Sequence, residues 1–239
     1  MTDRLDNRSY YDAMAGGYDR ERHRGYHVFL DESEVACVAD LVTGADVLEV
    51  GCGTGLILSR LAGVADSVVG ADLSGEMLLR AVGRVPSVVQ ANATGLPFPN
   101  DTFDVAVSFK VLAHVPPIRE TVAEIARVVK PGGYVALEFY NRHSLRTAIK
   151  RLKSPSSVAS DVDDTDVFTR YDSLADIRGY LPPDLELVRT HGIRIAMPLA
   201  VLMKAPVLGP VLAWHERFLA RTPLGRFGGF LVAVARKHL

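Results

Sequence analysis

The sequence predicts an α/β fold: a doubly wound, mostly parallel sheet with helices on both faces. Three observations carry that prediction. Short apolar runs alternate with helically spaced segments four times in a row, the pattern of parallel strands joined by crossover helices. The runs are continuously apolar, as strands buried on both faces require. A glycine-rich turn, "GCGTG", closes the first of them. The chain has 239 residues, 48% of them hydrophobic, enough for one domain with a substantial core.

Each element follows from its own stretch. Residues 8–40 read as helical, punctuated by Gly16-Gly17 and Gly25. "DVLEV" is the first buried strand, and "LILSRLA" follows with helical spacing. "SVVGAD" is the second strand and ends at Asp72. "LSGEMLLRAV" is a helix with Ser74 placed to cap it. "PSVVQA" is a short third strand, followed by the loop "NATGLPFPNDT". "FDVAVSF" is the fourth strand. "PPIRETVAEIARVVK" is a helix with prolines in its first turn, and it stops at Pro131-Gly132-Gly133. "YVALEFY" is the fifth strand. Right-handed crossovers put a ligand at the carboxyl ends of such strands.

The last third is less regular. "SLRTAIKRLK" reads as a basic helix and "SPSSVASDVDDTD" as a polar loop. "SLADIRGYL" is a short helix and "DLELVRTHGIRI" a strand. An apolar stretch follows, broken by Pro198, Pro206, Gly209 and Pro210, and "GGFLVAVARK" closes the chain as a final strand.

Composition excludes several classes. The formal charge is −1 with both signs interspersed, so nothing argues for a nucleic-acid partner. Cys37 and Cys52 form no CxxC pair and no cluster with histidines, so no metal site or disulfide is expected. The first residues contain no apolar h-region, and no uncharged apolar run reaches the roughly 20 residues that span a bilayer. A cytoplasmic location is the expectation.

The glycine turn needs a ligand. Gly51, Gly53 and Gly55 are spaced G-x-G-x-G, whereas the dinucleotide fingerprint has its third glycine one position later. Asp72 ends the second strand, where an acid accepts hydrogen bonds from ribose hydroxyls and repels a 2′-phosphate. The ligand is therefore an unphosphorylated adenosine ribose, which NAD and S-adenosylmethionine both offer.

"VLEVGCGTG", "VVGADLSGEML", "QANATGLPFPNDTFDVAVS", "VLAHV" and "EIARVVKPGGYVALEF" follow one another with a spacing that resembles the class I S-adenosylmethionine-dependent methyltransferases of small-molecule type. The resemblance covers residues 10–141 and the closing strand. It implies a Rossmann-like, seven-stranded sheet with an antiparallel last strand, and S-adenosyl-L-methionine as cofactor. It divides one domain, 1–239, into an N-terminal helical lid (1–43), a cofactor-binding core (44–141), acceptor-side elements (142–225) and a final strand (226–239).

The resemblance also implies roles for residues. Glu49 lies near the methionine amino group, and Gly51, Cys52, Gly53 and Gly55 make the floor under the methionine part. Cys52 reads by itself as a small filler. Asp72 holds the ribose; Leu73 and Met77 pack by the adenine; Asn92, Ala93 and Phe109 complete the set. Asn92 stands where the family often has Asp, and it keeps a carbonyl acceptor. Lys110 and Ala113 replace an aromatic and one of two adjacent histidines, leaving His114.

Methyl transfer needs acceptor, methyl and sulfur aligned in a dry pocket, and a base only where the acceptor must lose a proton. The catalytic candidates are His143, beyond the fifth strand, His114 and Tyr18. The stretch "YYDAMAGGYD" resembles a lid helix, in which Tyr11 or Tyr18 covers the sulfonium by cation–π attraction; the alternative is that Tyr10, Tyr11 and Tyr18 pack the helix against the sheet. Glu138 and Tyr140 are read as alternates of opposite parity on the fifth strand, so at most one of them is expected to point to the pocket. Lys110 is expected to snorkel at the surface. The apolar insertion, 195–219, suggests a small apolar acceptor; the resemblance, by the family's general frequency, implies methylation at oxygen, with nitrogen or carbon as alternatives. A membrane-surface contact through Lys204, Arg217 and Arg221 is the rival reading of that insertion. The expected assembly is a monomer or homodimer. The competing functions are an NAD-dependent oxidoreductase and a cofactor-binding protein without turnover.

Overall fold

The expected parallel strands form, in a computed structural model of the chain, β1 (Asp46–Val50), β2 (Ser67–Asp72), β3 (Val88–Gln90), β4 (Phe103–Ser108) and β5 (Val129–Tyr140). The structure describes residues 6–20, 22, 25–144, 157–159, 162–163, 168–195, 214–216, 218–220 and 222–239. Two later strands, β8 (Leu185–Ile193) and β9 (Phe230–Lys237), complete a seven-stranded sheet in the order β3-β2-β1-β4-β5-β9-β8. β9 runs antiparallel to both β5 and β8, and the remaining pairs are parallel. The strand order reverses between β1 and β4, which is where an open α/β sheet leaves a crevice.

Alternate residues of the central strands feed two cores, which is why their sequences are continuously apolar. Leu48, Val50, Ala106 and Leu137 pack with Val122, Ile125 and Ala126 of α5 (Ile118–Val128). Val47, Val105, Val107 and Val232 pack with Phe29, Leu30, Val38 and Val42 of α2 (Tyr26–Val42) and with Ile57 and Leu61 of α3 (Leu56–Leu61). Helices therefore cover both faces.

The caps agree with the sequence signals. Asp6 accepts the Ser9 amide at the start of α1 (Asn7–Tyr18), and Ser74 accepts the Met77 amide at the start of α4 (Gly75–Ala81). Ser173 and Asp176 form a capping box on α6 (Leu174–Tyr180). Gly70, inside β2, leaves room for Cys52 Sγ and a Leu58 methyl, which a Cβ there would meet at 2.7 and 2.6 Å.

Three expectations need correction. Pro117 is the N-cap of α5 rather than part of its first turn. That helix ends at Val128, and β5 begins at Val129, so Pro131-Gly132-Gly133 lies within the strand. Gly133 allows this, because a Cβ would collide with the Asp104 carbonyl of β4. The polar segment expected as a loop contains a short antiparallel pair, β6 (Ser157–Ala159) and β7 (Val162–Asp163). Most of "SLRTAIKRLK" and residues 196–213 of the apolar insertion lie outside the described residues.

Helix α1 is fastened across the carboxyl end of the sheet. Asp12 accepts from the Ser74 hydroxyl at 2.5 Å. Asp19, just past the helix, accepts from Thr54 Oγ1 at 2.7 Å and from Arg84 Nη2 at 2.8 Å. Among the described residues no helix is long and apolar enough to cross a membrane.

Candidate active site

A cavity opens at the carboxyl ends of β1, β2 and β4, beneath α1. Its floor is the turn that follows β1. Gly51, Gly53 and Gly55 all have left-handed backbone, with φ of 78°, 54° and 79°. L side chains rarely adopt that conformation, so the spacing read in the sequence is a backbone requirement. A Cβ on Gly51 would run into Val111, and one on Gly55 would press on Ala81 at 3.2 Å. A Cβ on Gly53 would meet nothing within 4 Å. The floor is thus bare at the one glycine with room above it.

Asp72 pins this turn. One carboxylate oxygen accepts the Gly53 amide at 2.7 Å, and the other accepts the Ser74 amide at 2.9 Å. Burial pushes its carboxyl above the usual range, against the pull of those amides. Each oxygen keeps a further lone pair, and the side chain borders the cavity.

Glu49 stands in the cavity wall and is 2% exposed. Its Oε2 has no hydrogen-bond partner among the described residues. Burial, then the charge of Glu34, raises its carboxyl well above the ordinary value. An orphaned carboxylate oxygen at a cavity wall is expensive unless a donor or cation arrives.

Behind Glu49 lies a buried charge cluster. Lys110 Nζ is 2.7 Å from Asp31 Oδ1 and 2.8 Å from Glu34 Oε2. Its backbone amide donates to Glu138 Oε1 at 3.1 Å. Arg22 reaches the same Asp31 oxygen at 3.4 Å. Burial drives the Lys110 ammonium down, but Glu34 and Asp31 outweigh it and hold the ammonium above its normal value. Burial raises Glu138 well above the carboxylate range, and Glu34 beside it adds to the shift. The expectation that Lys110 snorkels at the surface is therefore corrected. α2 supplies two carboxylates that make the interior the better solvent for its charge. The backbone at Lys110 is itself left-handed, with φ of 62°.

The aromatic residues divide. Tyr11 and Tyr18 both border the cavity. The Tyr18 hydroxyl accepts from Arg22 Nη1 at 2.6 Å, and the Arg22 guanidinium lies 4.6 Å from its ring centre. The cation on the Tyr18 ring is thus the protein's own. Burial raises the Tyr11 phenol well above its usual value, so it stays a phenol.

His114 borders the cavity in the 3-10 turn Leu112–His114. Its Nδ1 lies 2.9 Å from the Phe168 carbonyl. The Thr169 hydroxyl lies 3.3 Å from the same nitrogen, and because a carbonyl only accepts, these contacts favour the tautomer with the proton on Nδ1. Nε2 faces the Tyr140 hydroxyl at 3.5 Å. Tyr11 and Tyr140 meet the imidazole edge-on, with ring centres 6.2 and 5.6 Å away.

His143 is set apart. It is exposed and borders a second cleft with Asn141, Thr190 and Arg226, not the cavity beneath α1. It sits past the bend at Asn141, whose Oδ1 accepts the His143 amide at 3.0 Å. That bend turns it away from the strand end where it was expected to act. Glu138 and Tyr140 are not alternates either. Two residues apart on one strand, they share a face. Glu138 there meets the Lys110 cluster and Tyr140 meets His114.

The remaining expected residues gather where the sequence reading put them. Cys52, Leu73, Met77, Asn92, Ala93 and Phe109 all border the cavity. Asn92 already uses its side-chain oxygen to accept the Thr94 amide at 3.1 Å. Arg22 and Thr54 also border it and escaped the sequence reading. The four-residue spacing of Tyr18 and Arg22 was an available signal for Arg22.

Comparison with known proteins agrees with this arrangement. Residues 48–137 match the family model described as "Methyltransferase domain". An uncharacterised protein of Methanocaldococcus jannaschii is 26% identical, covering 98% of this chain and 92% of that one. A demethylmenaquinone methyltransferase of Shouchella clausii is 34% identical over 137 residues, which are 52% of this chain and 55% of that one. The match thus spans about half the length of that relative. A solved Thermotoga maritima S-adenosylmethionine-dependent methyltransferase, described as a possible histamine N-methyltransferase, shares the fold. It has a TM-score of 0.70 at 19% identity, covering 96% of this chain and 99% of that one.

Proposed function

We propose that the chain is a class I S-adenosylmethionine-dependent methyltransferase that methylates a hydroxyl of a small, apolar acceptor with His114 as the base. One observation carries the choice of oxygen. The His114 imidazole borders the cavity with Nδ1 protonated toward Phe168, so Nε2 is the nitrogen able to take a proton. A hydroxyl or an acidic carbon must lose a proton on methylation, whereas an amine free base need not, so the base favours the hydroxyl over the amine and the acceptor panel separates it from carbon. The Shouchella clausii relative is named for demethylmenaquinone, which supports an apolar, quinone-like acceptor.

The residues present fit the cofactor. The orphaned Glu49 oxygen matches the ammonium of its methionine end, and Arg22, which also borders the cavity, matches the carboxylate. The bare backbone at Gly53 accepts a ligand lying against it. Asp72 holds ribose hydroxyls with the lone pairs its two amide partners leave. Leu73, Met77, Asn92 and Ala93 form the adenine end. S-adenosylmethionine supplies an electrophilic methyl on a positively charged sulfur. The protein's part is to exclude water under α1, orient the acceptor and move one proton to His114 Nε2. A positioned base of this kind contributes about 10²–10⁴-fold.

The test has two stages. Calorimetric titration with S-adenosylhomocysteine, with NAD as control, should show binding of the former alone. Labelled methyl transfer to matched phenolic, amine and carbon acceptors of equal apolarity should then favour the phenol. Transfer confined to the amine or carbon acceptor overturns the choice of oxygen.

A further inference from the structure

The four carbonyls of residues 112–115, the turn that carries His114, are all held from other parts of the chain. Arg170 holds three of them. Its Nη2 donates to the Leu112 carbonyl at 2.8 Å, its backbone amide to that of Ala113 at 2.8 Å and its Nη1 to that of Val115 at 2.9 Å. The fourth, on His114 itself, accepts from Asn7 Nδ2 at 2.6 Å. The guanidinium is aimed in turn. Its Nε lies 3.0 Å from both carboxylate oxygens of Asp172, whose side chain is 0% exposed. The Tyr180 hydroxyl donates to the same acid at 2.8 Å. Arg170 does not border the cavity, so whatever it does for the reaction it does through the turn.

The same segment grips the ring. Two residues before Arg170, the Phe168 carbonyl lies 2.9 Å from His114 Nδ1, and the Thr169 hydroxyl lies 3.3 Å from it. One short stretch, 168–172, thus holds both the backbone of the turn and one nitrogen of the imidazole. A slip of that stretch would move both together. Apolar packing could hold a short turn as well, since a buried ion pair is often no more stable than the apolar groups that could replace it. What a guanidinium adds is direction. Its donors lie in one rigid plane, and here they reach two carbonyls and a carboxylate at once. We propose that Arg170 is a positioning residue: by clamping the turn to segment 168–172 it sets the tautomer of His114 and keeps Nε2 free for the acceptor's proton. The inference rests on the reading of His114 as the base.

Arg170→Lys keeps the charge beside Asp172 and loses the planar fork. A neutral imidazole reports its tautomer through its two nitrogen resonances, read in the whole protein above about pH 8. The chain has seven histidines, and the resonances missing from His114→Ala identify the ring in question. The wild type should show the proton on Nδ1. Arg170→Lys should move it toward Nε2, the form that imidazole favours in water, with S-adenosylhomocysteine affinity unchanged. On a phenolic acceptor kcat should fall by up to about 10²-fold, and the same substitution made in His114→Ala should cost nothing further. Resonances unchanged by Arg170→Lys would overturn the positioning role, and so would an equal fall in kcat in both backgrounds. A variant that also loses S-adenosylhomocysteine affinity overturns it too, for Arg170 then holds the fold at large. The base reading fails separately, where His114→Ala itself keeps its kcat.

Discussion

Lys110→Met removes the one ammonium that faces two fully buried carboxylates. The replacement keeps length and flexibility, so packing changes little and charge changes most. Lys110 Nζ lies 2.7 and 2.8 Å from Asp31 and Glu34, whose side chains are 0% exposed. Removing one partner of a buried pair costs about 3–5 kcal/mol, because the other charge stays behind. Two features bring the expected loss to the low end. Arg22 remains 3.4 Å from Asp31, and Glu34 and Glu138 already hold protons more tightly than usual. A loss of about 3 kcal/mol near neutral pH follows, or roughly 6–12 °C in Tm for a chain of this size. The loss should depend on pH with a definite sign. Burial raises the carboxyls of Glu34, Glu49 and Glu138 above their ordinary 4.5. Above that value the unfolded chain releases protons that the native state keeps, so stability falls as pH rises toward the native pKa values. Lys110 opposes the shift of each of these acids. Without it the shifts grow and the fall steepens. Urea denaturation of both proteins near pH 5 and pH 8 should show a deficit that is larger at the higher pH. A deficit equal at both, or below about 1 kcal/mol, would mean that Lys110 does not hold this cluster.

Other residues give separate tests. Asp72→Ala should weaken S-adenosylhomocysteine binding by about 1.5–3 kcal/mol, the value of a hydrogen bond to a charged group; calorimetry showing unchanged affinity would remove the ribose role. Gly53→Val should cost about 1–2 kcal/mol of stability through its left-handed backbone and abolish cofactor binding through its new side chain. A folded variant that binds normally would show that the floor lies elsewhere. His114→Ala should lower kcat by about 10²–10⁴, with cofactor affinity retained. His143→Ala is the control and should leave kcat in place. Burial pushes the Cys37 thiol up to about 12 and raises Cys52 as well, so neither should react with a thiol reagent near pH 8 until the chain is unfolded.

Local rules read most of the core correctly because their causes are local. The apolar runs of β1, β4 and the end of β5 became parallel strands because both of their faces are buried, which erases alternation and leaves a continuous signal; β2 and β3, toward the sheet edge, are only partly buried. Gly51, Gly53 and Gly55 were legible because a left-handed backbone selects glycine before any ligand is considered. Asp72 was legible because strand length alone puts it at the carboxyl end of β2.

The misplacements share a different cause. Lys110 reads as a surface residue in every local window, since its partners Asp31 and Glu34 lie almost eighty positions earlier. That His114 borders the cavity and His143 the second cleft follows from two loop geometries, a 3-10 turn and a bend, that periodicity does not report. Lys110 and Arg22 both balance charge on the distant helix α2, and Thr54 answers Asp19 beyond the end of α1. The cavity's backbone frame is therefore a property of short stretches. Its electrostatics belong to the assembled sheet and lid: α2 brings the acids, β4 delivers the lysine past its end, and Arg22 closes the set from beneath Tyr18. A change in α2 that moves Asp31 or Glu34 should for that reason disturb cofactor binding more than its distance from the glycine turn suggests, because Glu49 senses their charge directly.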